Sequence, residues 1–194
     1  MTDTTVKNKA PDSLVPSRRA TKKSKIVTAE QAARLIKDGD VVATTGIVRC
    51  VSADYLLEAI AQAFLKDGRP RDLTVMIASC IGDSRADGPR VGLNRLAYEG
   101  LVRRFIAGHW GMAARMGPLA QEGKIEGYVF PQGTLSQLFR EMAGGKPGIL
   151  TKVGLGTFID PRNEGGKINP QTTQDLVEIM EIGGEEYLLS LIHI

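Results

Sequence analysis

The chain has 194 residues, 42% of them hydrophobic and 24% charged, which is ordinary for a soluble globular protein and enough for one domain or a little more. Its net charge of +3 sits in residues 1–25, where seven Lys or Arg face two Asp, leaving +5 there and −2 for the remainder; this argues against a nucleic-acid-binding fold, which needs its basic face on the folded part. Cys50 and Cys80 form neither a C-x-x-C nor a zinc spacing and read as free thiols of a reducing cytosol, and no apolar run approaches the ~20 residues of a membrane span.

Residues 1–24 are rich in Ser, Thr, Lys and Pro and lack apolar clusters, so a disordered basic tail is expected. Asp3, Asp12 and the excess of Lys over Arg argue against a transit peptide. Order is expected from Lys25. "TAEQAARLIKDGD" carries a capping box, Thr28 with Gln31, an apolar stripe of Ala32, Leu35 and Ile36, and a terminating Gly39. "DVVATTG" then reads as a short buried strand. Ser52 can cap a second helix with Leu56, Leu57, Ile60 and Phe64 at helical spacing. "DLTVMIA" is the next strand, stopped by the polar "SCIGDSRADGPR".

The alternation continues. "LNRLAYEGLV" is predicted helical, "RRFIAG" a strand ending in Gly108, "MAARMGPLAQEG" a helix and "IEGYVF" a strand that breaks at Pro131. Thr134 and Gln137 can form a capping box for "SQLFREMA". A glycine-rich stretch runs from Gly144 to Gly166. "DLVEIMEI" and "EEYLL" then predict two strands joined by Gly183–Gly184, a favoured hairpin turn. Strand–helix alternation implies an α/β fold with a largely parallel central sheet and a closing β-hairpin. Ligands of such sheets gather at the carboxyl ends of the strands, here "TTGIVRC", "ASCIGD", "IAGHWG" and "VFPQGT", whose small residues let a ligand approach the backbone.

Short motifs are few. "GLGTF", Gly154 to Phe158, fails the dinucleotide fingerprint, because Ile159 replaces the third glycine and Asp160–Pro161 blocks a helix; as a bare pattern it reads as a turn. His109 pairs with no nucleophile by spacing, and with only His193 beside it a His-based metal site is not expected; it reads as structural, and Trp110 as a core or interface aromatic. Arg85, Asp87, Arg90, Arg95, Arg103 and Arg104 read as a solvated face, the sharper alternative being a phosphate contact. Gln132, between Pro131 and Gly133, could aim its amide at an oxyanion or serve as a turn residue.

Together, "AARLIKDGDVVATTG", "GLNRLAYEGLVRRFIAGHWG", "KIEGYVFPQGTLSQLFRE" and "LTKVGLGTFIDPRNEGGKIN" resemble the N-terminal (α) half of a family I coenzyme A transferase of the acetate, propionate or acetoacetate type, over residues 25–189. The resemblance implies a cytoplasmic enzyme of short-chain fatty acid and ketone-body metabolism. It would move coenzyme A, a substrate and not a resident cofactor, between an acyl-CoA and a carboxylate. In that chemistry a glutamate attacks the thioester, and the CoA thiolate opens the resulting anhydride to a glutamyl-CoA thioester. Gln132 and Gly133 match the family's "PQG" donor to the acyl oxygen, Gly46 and Arg49 lie in its substrate loop, and Gly154, Gly156, Thr157 and Phe158 form its glycine-rich loop. The partners implied are acyl-CoA, a short-chain carboxylate, the C-terminal (β) half and further copies of the enzyme, with no nucleic acid, membrane or metal.

Two departures stand out. The family's nucleophilic glutamate belongs to the C-terminal half, and Glu181-x-Gly183 imitates its E-x-G pattern by chance. The Gly-Gly-Phe-x-x-x-Gly-x-Pro signature is here Thr45, Gly46, Ile47, Val51 and Ala53, and a β-branched Val51 is not expected at positive φ. Residues 190–194 depart from the family's continuation. They are expected to be a non-native read-through tail, which leaves the 25–189 domain incomplete and the chain alone inactive. The alternatives are an α subunit served by a separate partner chain and a non-catalytic acyl-CoA-binding module.

Overall fold

A computed structural model describes residues 25–191. The basic tail of residues 1–24, His193 and most of the 190–194 segment lie outside the described residues. The chain opens with α1, Ala29–Ala33, whose capping box forms as the sequence predicts. Its buried face is Ala29 and Ala33, with Ile36 packed behind, whereas Leu35 is exposed. The helix is too short for the stripe to continue.

Four strands, β1 (Val41–Ala43), β2 (Leu73–Ile77), β3 (Val102–Ala107) and β4 (Glu126–Val129), form a parallel sheet in chain order. Helix α2, Asp54–Asp67, crosses from β1 to β2 and α3, Met116–Gln121, from β3 to β4. Pro118 is the third residue of α3, where its missing N–H would have had no intrahelical partner. Alternation sorts the central strands between two cores. Val75, Ile77 and Phe105 join Leu57, Ile60 and Ala33 on one face. Met76, Ile106 and Tyr128 meet Leu135 and Leu138 of α4, Gln132–Ala143, on the other. Both faces of β2 are therefore covered, as parallel strands require.

A second, antiparallel sheet has the order β5 (Gly148–Thr151), β7 (Glu185–Leu191), β6 (Val177–Ile182). It packs through Ile149, Val177 and Leu188 onto the α4 side of the first sheet. Gly183 and Gly184 join β6 to β7 with φ of +63° and +79°, the backbone a tight primed turn needs. Strand β7 continues past "EEYLL", pairing Ser190 with both Ile149 and Val177.

Several local expectations change. "DVVATTG" is an edge strand with Val41 and Ala43 exposed, because β1 has a neighbour on one side alone. Ser52 caps nothing: α2 starts one residue later without a side-chain cap, and the Ser52 hydroxyl is buried without a partner. "LNRLAYEGLV" gives a 3₁₀ turn, Gly92–Leu96. Arg90 takes the Asn94 and Ala97 carbonyls that a continuing helix would have used, and Gly100 turns the chain at φ +87°. Helix α4 begins at Gln132, not near Thr134, with Pro131 as an N-cap lacking a side-chain bond. Thr134 is buried inside it. Strand β5 lies within the glycine-rich stretch.

Candidate functional site

The carboxyl ends of β1 to β4 carry the residues singled out in the sequence. Gln132 is the first residue of α4. A Cβ on Gly108 would fall under 3.0 Å from both the Ala78 carbonyl oxygen and Gln132 Cγ. Since Ile77 pairs with Ala107, Ala78 and Gly108 are the next positions of β2 and β3. The Gln132 side chain thus lies across the ends of the two central strands, on a shelf that exists because residue 108 has no side chain. Gln132 is exposed, leaving its amide available to a ligand. Gly133 is exposed and has open space where a Cβ would stand.

The loop after β1 packs beside this shelf. Val48 N–H donates to the Cys80 carbonyl and Gly82 N–H to the Val48 carbonyl. Gly46 has φ +132°, and a Cβ there would meet Ile81, Cys50 and Val51 within 2.9 Å, so this glycine is required by both conformation and space. Val48 and Val51 adopt φ of +56° and +54°, a left-handed conformation that β-branched residues rarely take and that stores local strain. The expectation that Val51 would avoid positive φ is overturned. The network between residues 46–51 and 80–82 over-determines the turn. Arg49 forms an ion pair with the buried Asp83. Asp83 also accepts the Arg85 backbone N–H at 2.9 Å, and that bond, with the Arg85 and Arg49 guanidinium groups, holds its carboxyl below the ordinary value.

Gly154 to Phe158 is a turn built around a buried carboxylate. Asp160, fully buried, accepts from Gly156 N–H at 2.9 Å and from Arg162 Nε and Nη2 at 2.9 and 2.7 Å. The Arg162 guanidinium holds this carboxyl far below the usual range. Arg162 Nη1 also donates to both oxygens of Glu186 in β7, at 3.1 Å. Thr157 Oγ1 donates to the Gly154 carbonyl at 2.7 Å. Phe158 is half exposed, and its carbonyl accepts from Gly166, whose own carbonyl accepts from Val129 at the end of β4. The loop therefore adjoins the strand that leads into Gln132.

The other candidates make contacts of their own. His109 Nδ1 accepts the Gly111 N–H at 3.2 Å. Trp110 lies tilted against Phe105, ring centroids 4.6 Å apart, and donates to the Tyr128 carbonyl. The Arg stretch is in good part engaged and not a solvated face. Arg95 pairs with Asp54 and Glu58, Arg104 is buried with Glu126 and Gln174, and Arg90 lies over Tyr98. Glu181 is exposed in β6, opposite Glu186. Asp83 and Asp160 are not singled out by sequence reasoning. Both open an Asp-x-Arg step whose Arg N–H returns to the Asp carboxylate, at 2.9 and 3.0 Å, a side-chain turn legible in "DSR" and "DPR". Among the described residues, no cluster of His, Cys, Asp and Glu could hold a metal and no helix is long and apolar enough to cross a membrane.

Comparison with known proteins gives the family. The sequence model of the coenzyme A transferase family matches residues 26–192. The chain is 44% identical over 165 residues to the caffeate CoA-transferase of Acetobacterium woodii, covering 85% of this chain and 31% of that protein. It is 29% identical over 168 residues to the acetoacetyl-CoA:acetate/butyrate CoA transferase alpha subunit of Clostridium acetobutylicum, covering 87% of this chain and 66% of the subunit. The acyl-CoA transferase YdiF of Escherichia coli O157:H7, solved as a thioester complex with CoA, superposes with a TM-score of 0.77 at 35% identity, over 85% of this chain and 32% of that one. The chain thus spans about a third of the length of the Acetobacterium woodii and Escherichia coli O157:H7 proteins. With the family match running through all four strand ends and the glycine-rich turn, this chain belongs to the coenzyme A transferase family.

Proposed function

We propose that the chain supplies the N-terminal half of a short-chain acyl CoA-transferase. In this reading it binds the acyl-CoA and orients the thioester, while the nucleophilic glutamate comes from the C-terminal half, on a segment outside these residues. The glutamate attacks the thioester carbon, CoA thiolate leaves, and its return gives a glutamyl-CoA thioester and a free carboxylate; an acceptor carboxylate reverses the sequence. The observation that carries the proposal is the exposed Gln132 side chain, whose Cγ lies over the Gly108 shelf at the start of α4. A donor at that place meets the acyl oxygen as negative charge develops on it. The 154–158 turn, fixed by Asp160 and abutting β4, would contact the CoA arm, whose binding energy is expressed in the transition state. The 194-residue chain alone would be inactive.

The test is mass spectrometry of the full-length protein after incubation with acetyl-CoA. A glutamate-linked CoA adduct is expected, with Gln132→Ala lowering kcat by about 100- to 1000-fold. No adduct and no exchange of labelled acetate into acetyl-CoA would defeat the reading. The match to a Clostridium acetobutylicum alpha subunit favours one variant of it, in which the glutamate arrives on a separate chain; co-purification of such a subunit with an intact adduct would select that variant.

A further inference from the structure

Beyond the shelf, the ends of β2 and β3 part and meet again. Their last ladder pair is Ile77 with Ala107, and an isolated parallel bridge joins Asp83 to Ala113. Residues 78–82 and 108–112 lie between, and the shelf residues Ala78 and Gly108 open these two stretches. The sheet fixes their near end. At the far end sits the amide of Asn94, fully buried in the 3₁₀ turn Gly92–Leu96. That turn is seated on the β2 extension, because Leu93 N–H donates to the Ile81 carbonyl at 3.1 Å. Asn94 Nδ2 donates to the Asp83 carbonyl at 2.9 Å and to the Met112 carbonyl at 3.2 Å. Asn94 Oδ1 accepts the Arg115 N–H at 2.9 Å. One amide thus ties the extension of β2 to that of β3. The two backbones run so close here that a Cβ on Gly82 would fall under 3.0 Å from the Met112 carbonyl oxygen.

The clamp is selective for an amide. Two carbonyls need two donors and one N–H needs an acceptor, all from one short side chain. Asp would keep the acceptor but set a carboxylate oxygen against two carbonyl oxygens, and Leu would remove all three bonds. Gln132 is the group that this clamp serves. Its Cγ rests against the place a Gly108 Cβ would take, so any spreading of residues 108–112 from 78–82 moves the surface beneath it. We infer, on the transferase reading above, that Asn94 is a positioning residue for Gln132: it sets the separation of the β2 and β3 ends on which the donor rests. A buried amide that only held the fold would lower the amount of active protein and leave the work of Gln132 unchanged.

The experiment is a double-mutant cycle in the full-length protein, Asn94→Asp with Gln132→Ala, read as exchange of labelled acetate into acetyl-CoA. Rates are normalised to the chains that form the glutamate-linked CoA adduct, which removes the effect of unfolded protein. With Gln132 present, Asn94→Asp should lower kcat by about 100-fold, the worth of about 1 Å of misplacement, with KM for acetyl-CoA held within about twofold. With Gln132→Ala the same substitution should cost less than about threefold, because the donor it positions is gone. Asn94→Ser, smaller and uncharged, should show the same pattern more weakly and serves where the Asp variant does not fold. Equal losses in the two backgrounds, an unchanged kcat, a loss carried by KM, or failure of both variants to give folded protein would overturn the inference. A wild type that forms no adduct and exchanges no label defeats the transferase reading itself. A wild type that does both, with losses that simply multiply, defeats only the role of Asn94.

Discussion

Replacing Gly108 by alanine tests the shelf on which the functional reading stands. The added methyl would sit under 3.0 Å from Gln132 Cγ and from the Ala78 carbonyl oxygen. Carbon atoms pack comfortably at about 3.5–4.0 Å, so Gln132 must withdraw by about 1 Å. The carbonyl on the other side belongs to the end of a central strand and yields less readily. Overpacking of this kind costs about 1–3 kcal/mol, a loss of about 2–12 °C in Tm for a chain of this length. A misplacement of about 1 Å at a reacting centre costs about 100-fold in rate. Thermal unfolding of the chain followed by circular dichroism reads the first quantity, and acyl exchange by the full-length protein the second. Gly133→Ala is the control. It adds the same methyl at the next helix position after Gln132, where nothing lies within 4 Å, and Tm should hold or rise slightly. A Gly108→Ala protein melting with the wild type would refute the geometry.

Further outcomes follow from the same contacts. Val51→Gly relieves a left-handed β-branched residue, about 1–2 kcal/mol, against the about 0.5–1 kcal/mol entropic cost of glycine; urea denaturation should show a small gain in stability, and a loss would mean Val51 is unstrained. Arg104→Met leaves Glu126 partly buried without its partner in β3 and should cost about 3 kcal/mol; an unchanged urea midpoint would contradict this. Burial raises Cys80 to about 11 and Tyr128 to about 12, from 9.0 and 10.0. The folded chain therefore keeps these protons where the unfolded chain releases them, and stability falls as pH rises from about 9 to 12. Tyr128→Phe should flatten that decline, and an identical slope would argue against the assignment. Ellman's reagent should find exposed Cys50 in the native chain and buried Cys80 after unfolding; two fast thiols would refute the packing.

The four parallel strands are legible in the sequence because each is a short apolar run bounded by polar or glycine stops, and their central members, such as Val75 and Ile106, are buried whichever face they point to. The capping box at Thr28 is legible because its bonds are local. The same local logic misleads where distant groups intervene. Leu93 and Leu96 have helical spacing, yet Arg90 and Gly100 end the helix after one turn. Ser52 looks like a cap until Val51 turns left-handed before it. The edge position of β1 is a property of topology and leaves no mark on "VVA". At the site, Gln132 and Gly46 can be singled out in the sequence, but not the reason Gly108 must be bare. That reason is the approach of the Ala78 carbonyl from the neighbouring strand and of Gln132 from α4, both distant in the chain. The Asn94 amide joins residues 83, 112 and 115 and has no one-dimensional signature.

Strand β7 has a consequence for how the molecule is made. It pairs with β5 and β6 at once, and through Glu186 it holds the arginine that fixes the 154–158 turn. The parallel sheet can assemble from neighbouring units while later residues are still being synthesised, since β1 to β4 pair in chain order. The glycine-rich turn can form its local Asp160 contacts earlier, but its pair with Glu186 waits until β7 has left the ribosome, because that contact spans the intervening chain. The half of the site that carries Gln132 is thus built early, and the turn that joins it gains its outer latch from a strand made later.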